Sequence, residues 1–112
     1  MMPVMPSPRI GFSSAAFFAR PLSQTFLLLA RTVYAGAEVM VTKDPASQDP
    51  KRMRSLAAEH GLTIDALHAP CLLLTRRVWG TDPIGKVERA LEVAEEAEVP
   101  LVVVHPPYRW QR

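Results

Sequence analysis

The chain has 112 residues, 48% of them hydrophobic and 21% charged, and a net charge of +2. That length suffices for one domain around one core, and the charge is too small to argue by itself for nucleic acid or an anionic membrane surface. A single cysteine, Cys71, excludes an internal disulfide and suits a reducing compartment.

The longest apolar stretch, around Phe26 to Ala30, falls far short of the ~20 residues a membrane span needs. Met1 to Arg9 carries three prolines and no apolar run, unlike a signal peptide. These features predict a cytoplasmic protein with a disordered N-terminus over residues 1–8 and a single folded unit over 9–112.

Arg9 to Ser14 reads as a short first strand. Pro21 suits a helix start, and Leu22, Phe26, Leu29 and Val33 follow at helical spacing, with Gly36 fitting the helix end. Ala37 to Thr42 reads as a second strand, and Lys43 to Gln48 as a loop. Asp49-Pro50 pairs an N-cap with a proline at the first helical position. Met53, Leu56, Ala57 and His60 mark the buried stripe of the second helix, which Gly61 closes. Leu62 to His68 is the third strand.

The segment from Ala69 to Asp82 is long for a strand-to-helix connection, usually ~2–6 residues. Asp82-Pro83 repeats the cap-and-proline device. Val87, Ala90, Leu91 and Ala94 give the third helical stripe, with Glu92, Glu95, Glu96 and Glu98 on its wet side. Leu101 to His105 is an apolar run of the kind buried on both faces of a parallel sheet, stopped by Pro106 and Pro107.

The order β-α-β-α-β-α-β predicts an α/β fold with four parallel strands, three helices and right-handed crossovers. An open doubly wound sheet and part of a (β/α)8 barrel both use it. Each gathers its chemistry at the C-terminal ends of the strands. Phe12-Ser13-Ser14-Ala15-Ala16 carries no glycine-rich phosphate loop, which argues against a nucleotide site.

Strands three and four both end on histidine followed closely by proline. Gly36-Ala37-Glu38-Val39-Met40 resembles the G-x-E-V second strand of the xylose isomerase-like TIM-barrel superfamily, the sugar phosphate isomerases and epimerases. Leu67-His68-Ala69-Pro70 and Val103-Val104-His105-Pro106 resemble its third and fourth strand ends. Arg76 to Pro83, together with Pro107 to Gln111, look like an actinobacterial-type branch. The resemblance runs over residues 9–112 and implies the N-terminal half of a TIM barrel, because the superfamily has eight βα units and this chain four strands. Most of the family's carboxylate metal ligands come from later strands. Ala30-Arg31-Thr32-Val33-Tyr34 also departs from the family's Leu-Gly-Tyr-like helix end.

The implied activity is metal-assisted isomerisation or epimerisation of a sugar or sugar phosphate, with a divalent ion (Zn, Mn or Mg) as cofactor and no catalytic residue assigned in this half. If the faces carrying His68 and His105 line the barrel, both imidazoles reach its mouth from neighbouring strands and suit a metal ion or a substrate hydroxyl; otherwise they cap strands and bond locally. Glu38 either orients substrate or pairs with a basic residue. Arg76, Arg77, Arg109 and Arg112 match phosphate geometry or are solvated loop charges. Trp79 and Trp110 stack on a sugar or pack the loops. Cys71 fits a nucleophile poorly, lying in a loop without an oriented base. Asp65 has parity opposite to His68, which points it toward the helix layer.

Two other readings remain open: an apurinic endonuclease-type phosphodiesterase, disfavoured by the small positive charge, and a non-catalytic module. Four strands cannot close a barrel built for about eight, so the expected partner is a second copy or a missing C-terminal half. Nucleic acid and membrane are not expected partners.

Overall fold

The computed structural model describes residues 10–18, 20–71 and 73–106. The expectations for residues 1–8 and for Arg109, Trp110 and Arg112 lie outside these. Four parallel strands form one sheet: β1 (Gly11–Ser13), β2 (Gly36–Met40), β3 (Thr63–His68) and β4 (Val102–Val103). Three helices alternate with them: α1 (Leu22–Leu29), α2 (Pro50–His60) and α3 (Pro83–Ala97). The strands lie side by side in chain order, β1-β2-β3-β4. A doubly wound sheet reverses strand order at a switch point. The unbroken order is that of four consecutive units of a (β/α)8 barrel.

The helices start where short side chains satisfy their first N–H groups. The Asp49 carboxylate accepts from Lys51 and Arg52 at 3.0 and 3.3 Å, and Asp82 from Ile84 and Gly85 at 3.3 and 3.2 Å. Helix α1 has no such residue of its own, since Pro21 sits at its cap; Asp44, on the loop after β2, accepts from the Leu22 N–H at 2.7 Å. Gly61 ends α2 at φ +65°, a left-handed conformation that costs glycine little. Phe26, Leu29, Met53, Leu56, Ala90 and Val93 pack from the helices onto Ala37, Val39 and Leu67 of the sheet.

Three sequence expectations are corrected here. Helix α1 ends at Leu29 and Val33 is 96% exposed. The Thr32 hydroxyl turns back to the Leu29 carbonyl at 2.6 Å and accepts from Tyr34 N–H, a local turn that competes with further helix. Gly36 therefore opens β2 instead of closing a helix. On α3 the buried stripe is Lys86, Ala90, Val93, Ala94 and Ala97, while Leu91 is 54% exposed. On α2, Met53, Leu56 and Ala57 are buried but His60, its last residue, is only half-buried.

The fourth correction is a bulge. Ala37 pairs with Ile64 but Glu38 pairs with Ala66, so Asp65 is an extra residue in β3. The bulge breaks the alternation that points Asp65 to the helix layer, opposite His68. Ile64 packs against the helix-side core, and the Asp65 carboxylate lies over Gly36 and Gly11 on the opposite face.

Candidate functional site

Register places the site. Ser13, the last residue of β1, is level with Glu38, and Met40, the last of β2, is level with His68, the last of β3. Val103 is level with His68 in turn, so His105, two residues further on, shares that face. The backbone fixes these ends: Val41 N–H donates to the His68 carbonyl at 2.9 Å, and Ala69 N–H to the Val103 carbonyl at 3.0 Å. Met40 N–H donates to the Ser14 hydroxyl at 2.8 Å.

A hydrogen-bonded series crosses the strand ends. The Ser13 hydroxyl donates to Glu38 Oε1 at 2.9 Å. His68 Nδ1 lies 3.0 Å from the same oxygen. A carboxylate only accepts, so Nδ1 carries a proton, and in the neutral ring Nε2 then holds the lone pair. That lone pair faces Cys71 Sγ at 3.5 Å. The His105 ring stacks on the His68 ring with centroids 4.8 Å apart and planes 10° from parallel. His68 and Cys71 are buried and His105 is exposed, so the group grades from the sheet to the mouth.

The nitrogen and sulfur atoms of His68, Cys71 and His105 all lie within 4.8 Å of one another. Imidazole and thiol together are a donor set for a borderline or soft cation. The carboxylate behind His68 is the outer partner that metal-binding histidines generally have. The residues present therefore fit a divalent ion. Burial raises the Cys71 thiol above its ordinary pKa of 9.0, the Glu38 charge adds to this, and the Lys86 ammonium opposes it.

Lys86 is the buried cation of this region, 3% exposed on α3. Its ammonium donates to the Arg76 and Thr75 carbonyls at 2.6 and 3.3 Å, tying the loop after β3 onto α3. Burial lowers its pKa from 10.5, with Cys71 acting the other way.

The remaining predicted residues sit on that loop. Arg76 and Arg77 are exposed on the turn that Lys86 anchors. Trp79, at φ +61°, leans on the core, and the Arg89 guanidinium stands 5.9 Å over its ring. The structure brings Glu38, His68 and His105 into one cluster, while the loop residues pack separately from it. Sequence reasoning missed Ser13 and the contact between Cys71 and His68. The spacing His68-x-x-Cys71, with the turn-forming Pro70 between, was the available signal.

Comparison with known proteins bears on the architecture. The chain is 38% identical over 112 residues to the uncharacterized protein ML2432 of Mycobacterium leprae, 39% of whose length is covered. It is 39% identical over 107 residues to the uncharacterized protein Rv0498 of Mycobacterium tuberculosis, covering 38% of it. The chain thus spans about two-fifths of the length of the curated relatives it matches. Among solved structures it superposes on an AP endonuclease, family 2, from Brucella melitensis with a TM-score of 0.61 at 19% identity. That superposition covers 86% of this chain and 40% of the other. The fold is that of half a TIM-barrel-like domain. No family model matches the chain. No helix among the described residues is long and apolar enough to cross a membrane.

Proposed function

We propose that the chain is the N-terminal half of a metal-dependent sugar phosphate isomerase or epimerase of the xylose isomerase-like architecture. The observation that carries this is the series Ser13–Glu38–His68, with His105 stacked beside it, at the C-terminal ends of four adjacent parallel strands. Barrel enzymes place their chemistry at those ends. His68 and His105 are the metal ligands of this half, and a bound divalent ion supplies polarisation of substrate carbonyl and hydroxyl oxygens. Glu38 holds the His68 ring through Oε1 alone, and its second oxygen is assigned to a substrate hydroxyl. Arg76 and Arg77, exposed on the loop above, are assigned to the substrate phosphate, and Trp79 to the sugar face. The acid and base carboxylates of isomerisation belong to the complementary half.

A second reading has one observation in its favour: the structural neighbour is named as an AP endonuclease. A net charge of +2 gives little of the phosphate attraction that duplex binding draws on. The test is reconstitution. The chain is co-expressed with the part of the Mycobacterium leprae relative outside the match, loaded with divalent metal, and offered pentose and hexose phosphates and an abasic-site duplex. Interconversion of a sugar phosphate that His68→Ala abolishes is the expected result. Cleavage of the duplex without any sugar turnover overturns the proposal in favour of the second reading.

A further inference from the structure

We infer that Cys71 is a third protein ligand beside His68 and His105, making the site a His–Cys–His centre built for a thiophilic cation of the Zn²⁺ class in preference to Mg²⁺ or Mn²⁺. The inference rests on the reading of the two histidines as metal ligands and adds to it the cysteine and the metal preference it brings.

Distance is the first argument. With Zn–N of about 2.05 Å and Zn–S of about 2.3 Å, two ligands of a tetrahedral ion lie about 3.5 Å apart. Cys71 Sγ and His68 Nε2 are 3.5 Å apart without an ion. His105 completes a group that spans 4.8 Å at its widest. It is the exposed member and lies beyond the last ladder pairing of β4.

Orientation is the second. Glu38 accepts a hydrogen bond from His68 Nδ1–H, which leaves the Nε2 lone pair of the neutral ring facing the sulfur. A histidine held this way is preset as a ligand. Cys71 is held as well: it follows Pro70 directly after β3, is buried, and lines one narrow cleft with Lys86, Val104 and His105. Coordination breaks the S–H bond, forms an S–metal bond and releases the proton to solvent. Three ligands from this half leave at least one position of a tetrahedral ion for substrate or for a group of the complementary half. A thiolate ligand is also what separates this donor set from the oxygen-rich sites that Mg²⁺ and Mn²⁺ favour.

The experiment is titration of the purified chain with Co²⁺, the spectroscopic substitute for Zn²⁺, beside Cys71→Ser, Cys71→Ala and the double variant His68→Ala/His105→Ala. The expected result is a near-ultraviolet thiolate-to-cobalt charge-transfer band saturating at one ion per chain. Zn²⁺ should displace the ion, and excess Mg²⁺ should not. Both cysteine variants should lose the band while keeping the wild-type circular dichroism spectrum. Visible cobalt bands without the charge-transfer band, abolished by the histidine double variant, overturn the inference and leave the histidine reading standing. A charge-transfer band that persists in Cys71→Ser also overturns it, and absence of any cobalt binding overturns both.

Discussion

The Asp65 carboxyl group stands where a side chain at position 36 would go: a Cβ on Gly36 would lie 2.8 Å from Asp65 Cγ and 3.1 Å from Thr63 Oγ1. Gly36 is therefore part of the bulge, since β2 can pass under Asp65 only without a side chain there. The bulge in turn sets the register by which Glu38 and His68 share a face. Gly36→Ala is expected to destabilise the chain by about 1–3 kcal/mol, the usual cost of overpacking. Asp65→Ala in the same chain should recover part of that loss. Denaturant midpoints of the two single variants and the double variant check this, and strict additivity would show that the two positions do not compete for space.

Phe26 and Val33 stand on the same stripe in the sequence and in different environments in the fold. Phe26 is fully buried and Val33 is 96% exposed. Phe26→Ala should cost about 3–5 kcal/mol, enough to unfold much of a domain this size. Val33→Ala should stay within about 0.5 kcal/mol. Equal losses in thermal melts would mean that the helix continues past Leu29.

That pair also shows what the sequence carried and what it did not. Apolar runs, helical spacing and the proline-marked helix starts located the four strands and three α-helices among the described residues, because these signals are local. The end of α1 was not legible: Thr32 closes it by hydrogen bonds to its own neighbours, which no hydrophobic period records. The bulge at Asp65 was hidden for the opposite reason, since its cause lies on another strand. Lys86 reads as a surface residue until the loop carbonyls it holds are seen. The strand-end histidines were legible at the site, but Cys71 was set aside as a loop residue. Its burial depends on packing between β3 and α3.

Cys71 and Lys86 shape the alkaline limit of stability in opposite directions. The Cys71 pKa is raised in the fold, so above pH 9.0 the unfolded chain loses its thiol proton first. The Cys71 contribution is present below that pH and lost as pH rises through the folded-state pKa. Lys86 is lowered from 10.5, so its contribution grows as pH rises from the folded-state value toward 10.5. Cys71→Ala removes the first effect and also the Cys71 charge that raises the Lys86 pKa, a change that acts in the same direction. Denaturation at pH 8 and pH 10 should therefore show a smaller loss for the variant than for the wild type. An equal or larger loss in the variant would contradict the raised thiol pKa.

Glu38 acts on the cluster through one ring nitrogen. Glu38→Ala removes the acceptor for His68 Nδ1 and for the Ser13 hydroxyl. Outer partners of this kind are typically worth about 10–100-fold in metal affinity. Cobalt or zinc titration should show a loss of that size, with Glu38→Gln recovering part of it by restoring an acceptor oxygen. Unchanged affinity in Glu38→Ala would mean that the carboxylate does not orient the ring.

The two outer strands pose the last question. β1 and β4 are the edges of the sheet, and unpaired edges invite further strands. Beside them Ile10 and Leu101 are 64% and 62% exposed, and Val104 is 47% exposed. A closed barrel pairs both edges and covers the face that carries Ala66, His68 and Val103. The relatives are longer, since this chain spans about two-fifths of their length. Alone, the chain has only its own copies to offer, and pairing β4 of one with β1 of another, twice, gives eight strands with two-fold symmetry. We therefore expect sedimentation at micromolar concentration to show a dimer or larger species, converted to a one-to-one complex when the remaining part of the Mycobacterium leprae relative is co-expressed. Charged substitutions at the edges, Ile10→Lys with Val104→Lys, should weaken the self-association. A monomer that melts cooperatively and ignores the added segment would show that the sheet is complete with four strands.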